Sequence, residues 1–467
     1  MANVQISNAR TGAGRACIIG AGACGLAVAK TFVARGIAFD LLEREADIGG
    51  LWNSATSAGL VYEGTHLVSS RDSTGFTDFP MPFESYPDYP SHERVIEYFR
   101  DVVRAFGIGP HIRYNTAVER VTQRDDGAFD VSIAGEPAPR LYEHVVVASG
   151  HHEKTRQPSY PGTFAGETIH SKDYRSPKQV RDKRVMVVGA GNSACDIIRD
   201  AVHASGAKVV MSMRRPTWFV PKFVLGYPTH DVVANIEWVL TPLPRVVKRW
   251  VHQLGLYIFQ GPPWRYYLPQ PAHWLDQTHP TMCDDIPRLA AHGRLIVRPQ
   301  IARFEGSQVV FVDGTRETID MIVYATGYEL SIPFLDHALY RGADGRPPLY
   351  LFTAHPEQKG LFFGGLVQAN GSIWRLADAQ GHVIANTIVA EREAPDDYAE
   401  FYARAARAGA ASMRREGFVA SERHTLEANY YDYARALKRE ARRFRRARKI
   451  RLVPKEAEPR SRPVAAE

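Results

Sequence analysis

The chain has 467 residues, 45% of them hydrophobic and 23% charged, the proportions of an ordinary soluble globular protein of two or three domains. Its apolar runs are as short as Ala16-Cys17-Ile18-Ile19, far below the roughly 20 residues of a membrane span, and Met-Ala-Asn-Val-Gln does not begin a secretory signal, so a cytoplasmic setting is expected. The net charge of +7 is local: Arg435 to Arg451 holds ten Lys or Arg against Glu440 alone, so a solvated helix end and a disordered tail are expected rather than a nucleic-acid partner.

Taken in chain order, Arg15 to Ile19 reads as a buried strand that enters Gly20-Ala21-Gly22-Ala23-Cys24-Gly25. A helical run follows to Gly36, then a second strand from Ala38 to Leu42 ending in Glu43. This is a βαβ dinucleotide fingerprint. Gly20 permits the tight turn, Gly22 lets backbone approach a pyrophosphate, and Gly25 lets helix and strand pack closely. The helix N-terminus offers N–H groups to phosphate. Glu43 suits a ribose 2′-OH and repels a 2′-phosphate, which favours FAD or NAD here. Gly49-Gly50-Leu51-Trp52 reads either as a turn into a core Trp or as a turn that sets Leu51 and Trp52 beside a cofactor. Cys17, Cys24, Cys195 and Cys283 lack Cys-x-x-Cys or zinc-ligand spacing, so no metal and no redox pair are expected.

A second unit begins at Val185 to Val188 and runs through Gly189-Ala190-Gly191-Asn192-Ser193-Ala194. Its next strand, Lys208 to Met213, ends in Arg214-Arg215, two cations where the first unit has an acid. Arginine there binds a 2′-phosphate through charge-assisted bonds and argues for NADPH. Two such loops on one chain imply two nucleotides held together, as hydride transfer from nicotinamide to flavin requires. Residues 217–299 are rich in Trp, Tyr and Pro, with an amphipathic helix predicted from Leu243 to Phe259 that carries Lys248 and Arg249 on one side. Three readings stand for this insertion: domain cover, a substrate lid or tunnel, and a membrane-surface helix. Gly371 to Arg375 opens a helix or lines the substrate approach. C-terminal helices are predicted from Asp396 to Ala408 and Ser421 to Arg448, the latter with Leu426, Tyr430, Tyr433 and Leu437 in one stripe.

Between the loops lies Phe164-x-Gly166-x-x-x-His170-x-x-x-Tyr174. With Gly49-Gly50-Leu51-Trp52, Gly191-Asn192-Ser193, Phe76-Thr77-Asp78-Phe79-Pro80 and Ala325-Thr326-Gly327-Tyr328, it resembles the flavin-containing monooxygenases, from about Arg15 to Ala390. The resemblance implies that Gly20, Gly22, Gly25, Glu43, Gly50, Leu51 and Trp52 bind FAD, with Val118 at the adenine and Thr326 and Gly327 also at the cofactors. It gives Gly189, Gly191, Asn192, Ser193, Arg214 and Arg215 to NADPH, and gives His170 a domain-positioning part. The implied chemistry is NADPH-dependent oxygenation of a soft nitrogen or sulfur nucleophile by a C4a-hydroperoxyflavin. The cofactor carries the oxidant and the protein orients it and excludes water. One departure stands out. Many members carry Asn eight residues before the Phe of Phe-x-Asp-Phe-Pro; this chain has Val68, which cannot hydrogen-bond through its side chain. His66, Ser69 and Ser70 are the candidates to replace it near the flavin.

The expected architecture is α/β, two nested Rossmann-like domains with a helical C-terminus. The FAD domain takes residues 1–160 and 321–390, the NADP domain 161–320, C-terminal helices 391–450 and a tail 451–467. The partners expected are a small-molecule substrate and O₂, with peripheral membrane contact and a homodimer left open. Rival readings are a Baeyer–Villiger ketone oxygenase (disfavoured by Tyr174-Arg175), an uncoupled NADPH oxidase, and a non-catalytic flavin- or NADP-binding regulator.

Overall fold

A computed structural model describes residues 14–206, 208–240, 242–409, 411 and 425–444. The expected tail over 451–467, and both ends of the helix predicted over 421–448, lie outside them.

β1 (Ala16–Ile19) is four apolar residues, all buried. It sits inside a parallel sheet covered on both faces, which is why it shows no polar alternation. α1 (Ala23–Arg35) follows and stops at Gly36, whose φ of 65° allows its N–H to cap the last carbonyls. β2 (Phe39–Leu42), α2 (His92–Ala105), β3 (Ile112–Arg113) and β4 (His144–Val147) continue the first domain. In α2, Val95, Tyr98, Phe99 and Val102 form one buried face.

The second domain supplies β5 (Glu167–His170), β6 (Val185–Val188), α3 (Asn192–Ser205) and β7 (Val209–Ser212). The insertion then contributes α4 (Thr229–Leu240) and α5 (Arg245–Phe259), before β8 (Leu295–Arg298) and β9 (Met321–Tyr324). The chain returns through β10 (Leu361–Phe363), α6 (Ile373–Glu393), α7 (Pro395–Ala408) and α8 (Tyr430–Arg443).

Two five-stranded parallel sheets result, ordered β10-β4-β1-β2-β3 and β8-β7-β6-β9-β5. The second is nested in the first, as anticipated. One boundary moves. Residue 321 was expected to open the return to the FAD domain, but β9 pairs with β6 and β5 and is an inner strand of the second sheet. Four buried apolar residues are equally suited to either sheet; the ladder decides, and the crossing comes after Tyr324. The two crossings are zipped together, Lys154–Thr155 pairing antiparallel with Tyr328–Glu329.

α6 crosses α1 closely at Gly381, where an added Cβ would come 3.3 Å from Val28 Cα. The C-terminal stripe also needs correction. Tyr433 and Leu437 are buried on α8, but Leu426 lies before it: its carbonyl accepts from Gln368 N–H at 2.8 Å, and Glu427–Ala428 pairs in parallel with Gln368–Ala369. Asn429 caps α8 by accepting from Asp432 N–H, which sets the helix start at Tyr430.

Candidate functional site

In each glycine loop the first glycine answers to the protein and the middle one does not. Gly20 has φ 102°, and a Cβ there would lie 2.8 Å from Ala148 O. A Cβ on Gly25 would lie 1.8 Å from Gly20 O, so helix and strand could not pack. Gly22 has an ordinary φ of −75°, and its nearest outside atom is Gly50 Cα at 3.8 Å. No described neighbour requires it to lack a side chain. No described side chain caps α1, which leaves its first N–H groups to an anion. Gly49 N–H donates to Ala21 O at 3.0 Å, which brings the Gly-Gly-Leu-Trp turn against the loop. Leu51 is exposed, and Trp52 packs edge-on to Trp374 at 6.0 Å. Buried Glu43 accepts from Ala21 N–H at 2.7 Å and Glu45 N–H at 3.0 Å. Burial raises its pKa, against these two bonds, and a carboxylate so engaged still has lone pairs for ribose hydroxyls. Val118 opens a strand of a separate antiparallel sheet and packs on the neighbouring core.

The second loop repeats the logic. Gly189 has φ 133° and would clash with Ala325 O at 2.3 Å, whereas Gly191 has φ −83° and nothing within 4 Å of an added Cβ. Ala194 is fully buried, in the place of the third glycine. No side chain caps α3, Asn192 Oδ1 is buried without a partner among the described residues, and Ser193 is exposed. Arg214 and Arg215 stand exposed just past β7, and neither makes an ion pair among the described residues. Open backbone, an orphaned amide oxygen and two free cations are what a phosphorylated dinucleotide needs, so both loops fit their groups.

The hinge joins motifs that are far apart in the chain. His170 is buried, and its Nδ1 accepts from Lys172 N–H at 3.0 Å, which leaves the proton on Nε2 beside the Gly327 backbone. Burial lowers its pKa, so it is neutral at pH 7. Tyr328 lies between two imidazoles, 5.4 Å from His170 and 5.2 Å from His152. His151 stacks near His152 at 4.2 Å, and its Nδ1 is buried without a partner among the described residues. His152 is exposed at its outer side yet has protein around it, and desolvation lowers its pKa to about 4; burial lowers that of His151 as well. Thr326, expected at a cofactor, donates its hydroxyl to Arg156 O, and Gly327 takes φ 81° at the crossing. Tyr174 is fully buried and donates to Asp200 on α3 at 3.0 Å; Tyr62 donates to Asp196 on the same helix at 2.6 Å. The domains are clamped there.

The three candidates in the Val68 segment are differently placed. His66 is exposed, its Nδ1 3.0 Å from Gly64 O. Ser69 shares a hydrogen bond with Thr74 at 2.6 Å. Ser70 caps the turn Arg71–Thr74 and, like Ser73, donates to Asp231 on α4 at 2.6 Å. Ser70 is thus committed to joining this segment to the insertion.

With this geometry the comparisons agree. A family model described as flavin-binding monooxygenase-like matches residues 13–442. The chain belongs to this family. It is 31% identical over 440 residues to dimethylaniline monooxygenase [N-oxide-forming] 2 of Rattus norvegicus, covering 90% of this chain and 81% of that one. It is 30% identical to flavin-containing monooxygenase 5 of Cavia porcellus, covering 89% and 80%. Among solved structures, S-allyl-L-cysteine S-oxygenase from Allium sativum aligns with TM-score 0.63 at 22% identity over 94% of each chain. OTEMO in complex with FAD and NADP aligns with TM-score 0.66 at 17% identity, over 92% of this chain and 98% of that one. This flavin monooxygenase is therefore an oxidoreductase with FAD and NADPH as its cofactors.

In this family member the insertion builds a chamber. A cavity of about 1440 Å³ lies between α4, α5 and the start of α6, walled by Val220, Ile236, Leu256, Phe259 and Met282, with Arg375 on the α6 side. Arg375 donates to the Gly75 carbonyl at 2.8 Å and to the Asp72 carbonyl. α5 begins two residues later than predicted, and its cationic side faces inward: Lys248 reaches Glu237 at 3.4 Å and Arg249 reaches Asp276 at 2.9 Å. Its apolar side faces out, with Val246, Trp250, Leu254 and Ile258 each more than half exposed.

Sequence reasoning missed Lys30, Tyr62, Asp231 and the His151-His152 pair. The histidines directly follow Ala148-Ser149-Gly150, where the chain leaves the first sheet after β4. The others carry no local signal, because each acts through a partner distant in the chain. Cys195 and Cys283 also meet by a hydrogen bond, both free and buried, a contact invisible to spacing. Burial raises the Cys195 pKa well above its ordinary value, the mark of an inert packing thiol.

Proposed function

We propose that the enzyme oxygenates nitrogen or sulfur of a small, largely apolar organic molecule, using NADPH and O₂. The observation that carries this is a cavity of about 1440 Å³, walled in large part by apolar side chains of the insertion, in a chain with two dinucleotide loops whose middle glycines meet no packing constraint. Relatives named for N-oxide formation and S-oxygenation support the choice of atom. Gly20, Gly22, Gly25, Glu43, Gly50, Leu51, Trp52 and Val118 would hold FAD; Gly189, Gly191, Asn192, Ser193, Arg214 and Arg215 would hold NADPH. Thr326 and Gly327 would act by closing the hinge. When bound, the two groups supply hydride transfer and oxygen activation. The chain's own part is to orient them, to keep water from the chamber and to hold His170 neutral. Ser69 and Ser70 are already engaged by Thr74 and Asp231 and His66 is exposed, so weak replacement of the hydrogen bond that Val68 lacks, and with it some loss of reducing power to peroxide, belongs to this proposal.

The test supplies the FAD-loaded enzyme with NADPH and O₂ and, separately, a tertiary amine, a thioether and a cyclic ketone. Gain of one oxygen atom by amine or thioether is expected, with NADPH used in excess of product and the difference recovered as peroxide. Ester from the ketone alone would favour the Baeyer–Villiger reading, and peroxide equal to all NADPH consumed would favour the oxidase.

The outward apolar face of α5, flanked by Trp264 and Tyr267, supports peripheral contact with a lipid surface. No described helix is long and apolar enough to cross a membrane. Co-sedimentation with vesicles, lost in Trp250→Glu, is expected; concentration-dependent dimerisation lost in the same variant would assign the face to a second copy. A cytoplasmic location goes with this proposal.

A further inference from the structure

Glu427 has a side chain only 1% exposed, yet neither carboxylate oxygen has a hydrogen-bond partner among the described residues. A carboxylate enclosed without donors is strongly unfavourable unless a cation or donor comes to it. The group facing it is His279, whose Nδ1 lies 3.7 Å from Glu427 Oε1 and also lacks a hydrogen-bond partner. That separation is too long for a hydrogen bond and within reach of an ion pair.

The two residues belong to different domains. His279 lies two residues before Thr281, whose hydroxyl donates to Ala190 O at 2.8 Å inside the second glycine loop. Thr281–Met282 also pairs with Phe219–Val220 of the same domain. Glu427 pairs in register with Gln368 of the flavin domain, just past Gly365, which packs on Cys24 of the first loop's helix. The contact therefore bridges the two domains, whose cleft the proposed function makes the meeting place of nicotinamide and flavin. His230, whose Nδ1 is also unpartnered among the described residues, lies near His279, and its neighbour Asp231 is engaged by Ser70 and Ser73.

We propose that Glu427 is a positioning residue: through His279 it holds the segment at Thr281, and with it the nicotinamide loop at Ala190, against the flavin domain. An apolar pair would bury at least as favourably. A carboxylate and an imidazole instead set the distance and direction of the approach, and hydride transfer is sensitive to both. The inference rests on reading the cleft as the site of hydride transfer.

The test uses the FAD-loaded full chain and the variants Glu427→Gln, His279→Asn, the double variant and Glu427→Asp. Without nicotinamide, amide hydrogen exchange over residues 189–191 and 281–283 rises about tenfold in each single variant and no further in the double. The limiting rate of flavin reduction by NADPH falls about tenfold while the NADP⁺ dissociation constant moves less than about twofold. Glu427→Asp recovers part of both. Additive effects, or wild-type exchange and reduction in His279→Asn, overturn the assignment. His279 is partly exposed, so that variant decides the matter even if Glu427→Gln fails to fold. A wild-type enzyme that NADPH cannot reduce would overturn the functional reading instead, and the exchange data would still judge the His279–Glu427 contact.

Discussion

His170 and Tyr328 meet edge to face, ring centroids 5.4 Å apart and planes at 73°, so that two motifs recognised separately in the chain form one hinge. Tyr328 presents its other side to His152, 5.2 Å away at 88°. Aromatic contacts of this kind contribute about 0.5–1.5 kcal/mol each. Tyr328→Leu is expected to lower stability by about 1–3 kcal/mol, read by denaturant melts of the FAD-loaded enzyme. Tyr328→Phe, which keeps both ring contacts, should lose clearly less.

The glycines offer a sharper contrast. Gly25→Ala places a methyl 1.8 Å from Gly20 O and should prevent folding or FAD retention. Gly191→Ala has open space and an ordinary φ, so it should melt within about 1 kcal/mol of wild type. It should nonetheless weaken NADPH binding at least about tenfold. Equal stability loss in the two variants would refute the view that only the middle glycine serves the ligand.

Arg214 and Arg215 should set the choice of nicotinamide. Replacing both by Ala removes charge-assisted bonds worth about 1.5–3 kcal/mol each, so kcat/KM for NADPH should fall by about a hundredfold or more. NADH, which has no 2′-phosphate, should be used as before. Parallel losses with both cofactors would place the two arginines outside the 2′-phosphate site.

Lys30 is fully buried between Asp78 and Asp378, each 2.7 Å from its Nζ, and it lies 5.1 Å from the centroid of the Phe76 ring. It anchors the Phe-Thr-Asp-Phe-Pro segment to α1 and α6. Lys30→Ala leaves two carboxylates without their cation and should cost about 3–5 kcal/mol. A thermal melt within a degree or two of wild type would show the triad to be dispensable.

The hinge histidines imply an acid limit. The His152 pKa is held down to about 4 from an ordinary 6.5 by desolvation, so the folded state disfavours its charged form. Its contribution to stability is complete above about pH 6.5 and is lost as the pH falls from there towards 4. Comparing Tm for wild type and His152→Asn, the margin of the wild type should shrink between pH 7 and pH 5. A margin independent of pH would mean that His152 titrates normally.

Local patterns were enough to identify both βαβ units, because a glycine turn, a following amphipathic run and the charge at the next strand end lie within one short stretch of chain. Glu43 and Arg214-Arg215, which close the two units, are legible in that way, as is the apolar stripe of Tyr433 and Leu437. The assignment of β9 to the second sheet, the start of α8 after Asn429 and the inward turn of Lys248 and Arg249 were settled only in three dimensions. A buried apolar tetrad has no address of its own, and a cation faces whichever carboxylate the fold brings near. The same holds for Lys30, for Tyr62 on Asp196, and for His279 beside Glu427. Sequence alone determined which nucleotides the chain is built to hold; only packing between distant segments decided how the two domains meet, because hydrogen bonds and ion pairs act through space and not along the chain.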